Sequence, residues 1–249
     1  MSELQHPDAR TFEQVAELYE RVRPSYPDTA VTWLADQLRI GNRSTVLDLG
    51  AGTGKLTAMF VARAKRVIAV EPGPEMLAQL RRAVPQAEAM LGAAEDIPLV
   101  DGTVDAVVCG QSFHWFRTDE ALAEIRRVLR PGGGLGLIWN MRDPDDPMQE
   151  EITELLDPFV PPGRPSIRAS VGAFVTRTFG EVKRMTVPFA QELDADGVVD
   201  RIASISFVAA APEPKQSELE RALRAVVAAQ GGRVPFRYVT EAYAILNVA

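Results

Sequence analysis

The chain is poor in the residues that metal and redox chemistry use. Among 249 residues there is one cysteine, Cys109, and two histidines, His6 and His114. A single cysteine excludes an intramolecular disulfide and a thiolate metal cluster. Two histidines so far apart form no recognisable metal set, so no metal is expected. No apolar run approaches the roughly 18 residues a membrane span requires, and the start, Met1-Ser2-Glu3-Leu4-Gln5-His6, has no secretory apolar stretch. Positive charge is also short. Lys and Arg number 27 against 34 Asp and Glu, a net charge of −7. That balance argues against broad binding to nucleic-acid phosphates. Aromatic residues make up only 7% of the chain, yet 46% is apolar and 24% charged, a globular mixture. A soluble cytoplasmic protein is expected.

What is present is an alternation of short apolar runs and amphipathic segments, the pattern of a parallel sheet with crossover helices. Residues 11–40 read as two helices broken at Arg23-Pro24-Ser25-Tyr26-Pro27, with Asp28 placed to cap the second. Strands are expected at Thr45–Leu49, Val67–Val70, Ala87–Leu91, Val104–Cys109 and Leu135–Trp139. Helices are expected at Lys55–Arg63, Pro74–Val84 and Asp119–Leu129, the last stopped by Pro131-Gly132-Gly133. Beyond Asn140 the pattern gives a helix near 147–157, a Pro-rich loop, a strand at Val182–Phe189, helices at Asp194–Ala211 and Ser217–Ala229, and a last strand at Arg237–Leu246. The tail then forms an antiparallel edge pair separated by a helical insert.

The densest chemical signal is Val46-Leu47-Asp48-Leu49-Gly50-Ala51-Gly52-Thr53-Gly54, between a strand and a helix. Glycines there let the backbone turn sharply and approach a ligand closely. Such loops lie at the carboxyl ends of parallel strands, where open sheets bind ligands. The dinucleotide fingerprint fails because Lys55 stands where its third glycine belongs. The phosphate loop fails because Leu49 and Leu56 occupy its required Gly and Ser/Thr positions.

The chain resembles the class I S-adenosylmethionine-dependent methyltransferases. The glycine loop is similar to their first motif and Val70-Glu71 to their second. Gly92-Ala93-Ala94-Glu95-Asp96-Ile97-Pro98 is similar to their adenine segment, with Ala93 where an Asp is frequent. Asp105-Ala106-Val107-Val108 and Arg127-Val128-Leu129-Arg130-Pro131-Gly132-Gly133-Gly134 match their fourth-strand motif and helix-to-strand turn. A narrower similarity, carried by Tyr19, Arg23–Pro27, Gln111–Phe116 and Ile138-Trp139-Asn140, is to trans-aconitate and cantharidin methyltransferase-like proteins. The implied fold is a doubly wound, mostly parallel seven-stranded sheet with an antiparallel C-terminal edge and a helical cap insert. It would form one domain over 1–249, with a helical lid at 11–40, a cofactor core at 44–140 and a substrate-side cap at 141–249.

The resemblance implies S-adenosylmethionine as cofactor and S-adenosylhomocysteine as product. Its binding residues would be Arg23, Asp48, Gly50, Ala51, Gly52, Thr53, Gly54, Glu71, Pro72, Met76, Ala94, Glu95 and Gln111. Glu71 would accept the ribose hydroxyls, Asp48 would order the loop and shape the pocket for the methionine amino end, and Arg23 would pair with the methionine carboxylate. Substrate contacts would come from Tyr19, Tyr26, Phe113, Trp115, Trp139 and Asn140. His114 is the candidate general base, needed for a hydroxyl acceptor and not for a carboxylate. The fourth-strand exit, Gln111-Ser112-Phe113, lacks the Asn/Asp-Pro-Pro-aromatic signature of amide and base N-methylation. The narrower resemblance implies transfer to a small-molecule carboxylate or hydroxyl oxygen. A non-catalytic module that binds the same cofactor is the alternative.

Overall fold

The computed structural model describes residues 23–116, 118–161 and 182–246. Tyr19, the helix expected before Arg23 and most of the Pro-rich loop lie outside them. In chain order the elements are α1 (Asp28–Gln37), β1 (Thr45–Leu49), α2 (Lys55–Val61), β2 (Arg66–Glu71), α3 (Pro74–Ala83), β3 (Glu88–Leu91), β4 (Val104–Gly110), a 3-10 turn at Phe113–Trp115, α4 (Asp119–Val128), β5 (Leu129–Arg142), α5 (Pro147–Leu156), β6 (Lys183–Asp194), α6 (Ala195–Ala203), α7 (Ser206–Ala209), α8 (Glu213–Ala229) and β7 (Arg233–Ile245). The sheet order is β3-β2-β1-β4-β5-β7-β6. The first five strands are parallel, and β7 is antiparallel to both β5 and β6. This is the doubly wound architecture with an antiparallel edge and helical insert expected from the pattern.

Alternation along the buried strands builds a core on each face. Leu47, Leu49, Ile68 and Leu137 face α4, whose Leu122 and Ile125 complete that layer. Val46, Val67, Val108 and Ile138 face α1 and α2 through Leu34, Leu38 and Phe60. Gly136 lies so close beneath α1 that a Cβ there would sit 2.5 Å from Leu34. Here glycine is required by close packing of helix on strand.

Some boundaries differ from expectation for local reasons. Asp28 is not a cap. Pro27 precedes the helix and Asp28 is its first residue, where its carboxylate pairs with Arg63. Pro131-Gly132-Gly133 lies within the span of β5. The helix expected over Asp194–Ala211 divides into α6 and α7, and α8 starts at Glu213 with Pro214 in its first turn, where a missing N–H costs nothing.

The C-terminal strands are longer than read, and this positions the cap. β7 pairs with β5 only from Ile245 to Tyr238, whereas it pairs with β6 out to Arg233↔Asp194. The β6–β7 ladder therefore overhangs the carboxyl ends of the parallel strands. A third core assembles on this overhang, where Phe236 and Tyr238 pack with Ile152, Ile202, Leu219 and Leu223 from α5, α6 and α8.

Candidate active site

The loop after β1 is pinned to β2, since Gly50 N–H and Ala51 N–H both donate to the Val70 carbonyl at 2.9 and 3.1 Å. Gly50, Gly52 and Gly54 all have positive φ (67°, 58° and 93°), the left-handed region that favours glycine. Their surroundings differ. A Cβ on Gly50 would strike Ser112, and one on Gly54 would press on Leu80 and Val84, so those two join the loop to its neighbours. Around Gly52 nothing lies within 4 Å of that position. At Gly52 bare backbone meets open space.

Two buried carboxylates belong to this region, Glu71 in contact with Gly52 and Asp48 on β1 ahead of the loop. Glu71, at the end of β2, accepts N–H bonds from Gly52 (2.8 Å, Oε2) and Gly73 (3.0 Å, Oε1). A carboxylate offers about four acceptor positions. Asp48 is 1% exposed. Its Oδ2 accepts from the Thr57 hydroxyl at 2.6 Å, so it anchors the first turn of α2 and not the glycine loop itself. Its Oδ1 has no hydrogen-bond partner. Burial, with the Glu71 charge adding to it, pushes the Asp48 carboxyl up to about 7.

The neighbouring cofactor candidates are arranged around this pair. Thr53 is buried in the loop and Pro72 half-buried just after Glu71. Met76 is buried on α3. Ala94 is buried in the tight turn closed by the Ala93–Asp96 bridge, with Glu95 half-exposed at its tip. Glu124 and Arg127 fasten that segment, accepting from Ile97 N–H at 2.9 Å and donating to the Ile97 and Leu99 carbonyls. Gln111, just past β4, is one of two non-glycine residues with positive φ among the described residues, at 58°. It is held there by N–H donation to the Ile138 carbonyl and Nε2 donation to the Asn140 carbonyl, both at 2.9 Å. Strained backbone of this kind concentrates at working sites.

The expected substrate residues divide. Phe113 and Trp115 share one 3-10 turn, whose geometry sends neighbouring side chains different ways. Phe113 is fully buried, edge-on to Phe116 at 5.7 Å, and so does not face the crevice, whereas Trp115 is half-buried beside His114 at 4.7 Å. Trp139 is also core, 2% exposed and edge-on to Tyr243. It still reaches the site by one atom, since its indole N–H donates to His114 Nδ1 at 3.5 Å.

Asn140 does not line the crevice either. Its amide donates to the Ser25 carbonyl at 3.1 Å and accepts from the Thr240 hydroxyl at 2.8 Å, so both ends are used to fasten the entry segment to the sheet. Tyr26 is 8% exposed, packed with α1 and α2, its hydroxyl lying over Gly110. Arg23 departs most from expectation. Its Nε and Nη2 donate to the Ser204 hydroxyl and carbonyl, each at 3.0 Å. Ser204 ends α6, and a guanidinium is stabilised against the carbonyls of a helix C-terminus. Arg23 thus joins the entry segment to the cap.

Sequence reasoning missed a cluster under the cap. Arg142, the last residue of β5, donates to the Gln149 carbonyl at 3.2 Å. Burial beside Arg201 holds its guanidinium down to about 10. Arg201 on α6 is 4% exposed and donates to the Tyr238 hydroxyl at 2.9 Å, which in turn lies 3.1 Å from Gln191 Oε1. No motif marks these residues, because five separate elements supply them. Among the described residues no group of three or more His, Cys, Asp or Glu side chains is placed to hold a metal, and no helix is long and apolar enough to cross a membrane.

Comparison with known proteins agrees with this geometry. Residues 47–137 match the family model described as a methyltransferase domain. An uncharacterized methyltransferase of Mycobacterium tuberculosis is 42% identical over 202 residues, 81% of this chain and 79% of its own. Another from Schizosaccharomyces pombe is 37% identical over 240 residues, 94% of this chain and 96% of its own. The solved structure of a candidate type II methyltransferase from Anaeromyxobacter dehalogenans superposes with a TM-score of 0.66 at 26% identity, covering 90% of this chain and 96% of that one.

Proposed function

The chain belongs to the class I S-adenosylmethionine-dependent methyltransferases, and from that premise we propose that it methylates an oxygen of a small-molecule acceptor with S-adenosylmethionine bound against the Gly50–Gly54 loop. The observation that carries the reading is the pairing of an open-faced Gly52, held by the buried Glu71, with a second buried acid, Asp48, that has an unpartnered oxygen. A ligand with an ammonium supplies the donor that Asp48 Oδ1 lacks.

The residues fit the cofactor in the following way. Glu71 accepts from the ribose hydroxyls, and such charge-assisted bonds are the stronger kind. Asp48 Oδ1 accepts from the ammonium of the methionine portion, and that positive charge keeps Asp48 ionised. Gly52 lets the ligand approach where any Cβ would intrude. Thr53, Pro72 and Met76 border it, and Ala94 and Glu95 flank the adenine, with Glu95 receiving the exocyclic amine. Bound S-adenosylmethionine supplies an electrophilic methyl on a sulfonium and departs as S-adenosylhomocysteine.

The chain's remaining task is alignment, worth up to roughly 7–11 kcal/mol where two reactants are held well. Trp115 and His114 form the acceptor wall beyond β4, and the cap overhangs it. His114 is the candidate base for a hydroxyl acceptor. An ionised carboxylate needs none. The closer resemblance to trans-aconitate and cantharidin methyltransferase-like proteins points to the same oxygen acceptors.

Calorimetric titration with S-adenosylmethionine and S-adenosylhomocysteine tests the cofactor. Transfer of labelled methyl to a metabolite panel, with product mass, tests the acceptor. Binding of both cofactor forms and label in a methyl ester or ether are expected. Absence of heat with either form would overturn the reading.

A further inference from the structure

We propose that Arg142, Arg201 and Gln149 form a carboxylate-anchoring site beneath the cap, and that the acceptor is an organic acid held there by a carboxylate other than its reacting oxygen. The inference rests on the methyl-transfer reading and names the substrate class that reading leaves open.

Gln149 is 1% exposed, and both polar atoms of its side-chain amide lack partners. Arg201 is 4% exposed, and its Nη1 also lacks one. Folded chains rarely leave buried polar groups unsatisfied, and a buried guanidinium without a counter-charge is more costly still. Here a guanidinium arm and a whole amide go unmatched on adjoining elements. The charges acting on Arg142 come from Arg201, which opposes its ionisation, and from the Tyr238 phenol, with no carboxylate among them. Among the described residues the chain therefore gathers two guanidiniums and an amide under the cap, and neither guanidinium forms an ion pair with a carboxylate.

Carboxylate chemistry matches this set. Guanidinium forks present two parallel N–H donors to a planar carboxylate, and the Gln149 amide adds a third. Tyr238 is occupied by Arg201 and Gln191, so it fixes the fork in place. The location suits an acceptor. Arg142 ends β5 two residues beyond Asn140 and on the same face of the strand, and the Asn140 carbonyl accepts from Gln111, a cofactor candidate at the exit of β4. At strand rise that is about 7 Å along β5 from that contact. A carboxylate held by two guanidiniums is a poor nucleophile because its charge is already neutralised. The group held here is an anchor, and the oxygen that takes the methyl lies elsewhere on the molecule.

The test uses the full chain, with and without saturating S-adenosylhomocysteine. Straight-chain dicarboxylates from succinate to suberate, their neutral diamides and inorganic phosphate are titrated calorimetrically. At least one diacid is expected to bind while its diamide does not. Arg142→Gln, at a half-exposed position, and Gln149→Leu are each expected to weaken the diacid at least tenfold while leaving S-adenosylhomocysteine affinity unchanged. Arg201→Gln should do the same if it folds. Diacid and diamide binding alike, wild-type diacid affinity in Arg142→Gln and Gln149→Leu, a response to phosphate alone, or no diacid binding at all would overturn the proposal. Diacid binding without any S-adenosylhomocysteine heat would instead overturn the cofactor reading and leave the anchor standing.

Discussion

Asp48 gives the sharpest quantitative handle. Its carboxyl is raised from an ordinary 3.8 to about 7, mainly by burial. An acid whose folded pKa lies above its unfolded one favours the fold most at low pH, and that advantage is lost as pH rises from about 4 through about 7. The full difference corresponds to about 4 kcal/mol at 1.36 kcal/mol per unit. Roughly half of it, about 2 kcal/mol, is lost between about pH 5.5 and about pH 8.5. Asp48→Asn removes the titration and keeps the shape. Relative to that variant, the wild-type chain is expected to lose about 4–8 °C of melting temperature over this pH range, using the usual scaling for a chain of this size. Thermal denaturation of both proteins at the two pH values measures it. The ligand reverses the sign. An ammonium beside Oδ1 favours the ionised form, so S-adenosylmethionine binding below about pH 7 releases a proton, and affinity rises with pH up to about that value and then flattens. Calorimetry in buffers of different ionisation heat counts that proton. Parallel melting curves for wild type and variant across the pH range, with no proton released on binding, would refute the assignment of a buried, neutral-leaning acid to this loop.

Two further outcomes follow from bonds already described. Glu71→Ala leaves the Gly52 and Gly73 N–H groups without their acceptor; a stability loss of about 1–3 kcal/mol and at least tenfold weaker cofactor binding are expected by chemical denaturation and calorimetry. Asn140→Ala frees Ser25 and Thr240; proteolysis near Ser25 should accelerate and stability should fall by about 1–3 kcal/mol, whereas S-adenosylhomocysteine affinity should hold, because the amide touches no cofactor group.

The sheet and the glycine loop were legible because each depends on short, local signals. The run Val46–Leu49 must be a buried strand, and the three alternating glycines that follow require left-handed backbone there. Glu71 was legible for the same reason, as the acid that ends the next strand. Side-chain direction was harder. Phe113 and Trp115 stand two apart in a 3-10 turn, and nothing in their spacing says which is core. Asn140 looked like a crevice residue because β5 was read as ending at Trp139; extended to Arg142, the strand turns Asn140 towards Ser25 and Thr240. The Arg142–Arg201–Gln149 cluster was illegible altogether. Its members meet only because the β6–β7 ladder carries α6 back over β5, a consequence of long-range pairing that no sequence window contains.

The overhang of that ladder also fixes how the enzyme can diverge. The same two strands serve as the sheet's outer margin and as the spine on which α5, α6 and α8 are mounted. The helices between them are one uninterrupted stretch of chain, residues 195–232, entered and left at a single paired point, Asp194↔Arg233. If the proposed acceptor site lies beneath this stretch, exchanging it is expected to change acceptor preference as a cassette while the glycine loop and Glu71 stay in place. Shortening the strands beneath it would remove the mounting along with the cassette.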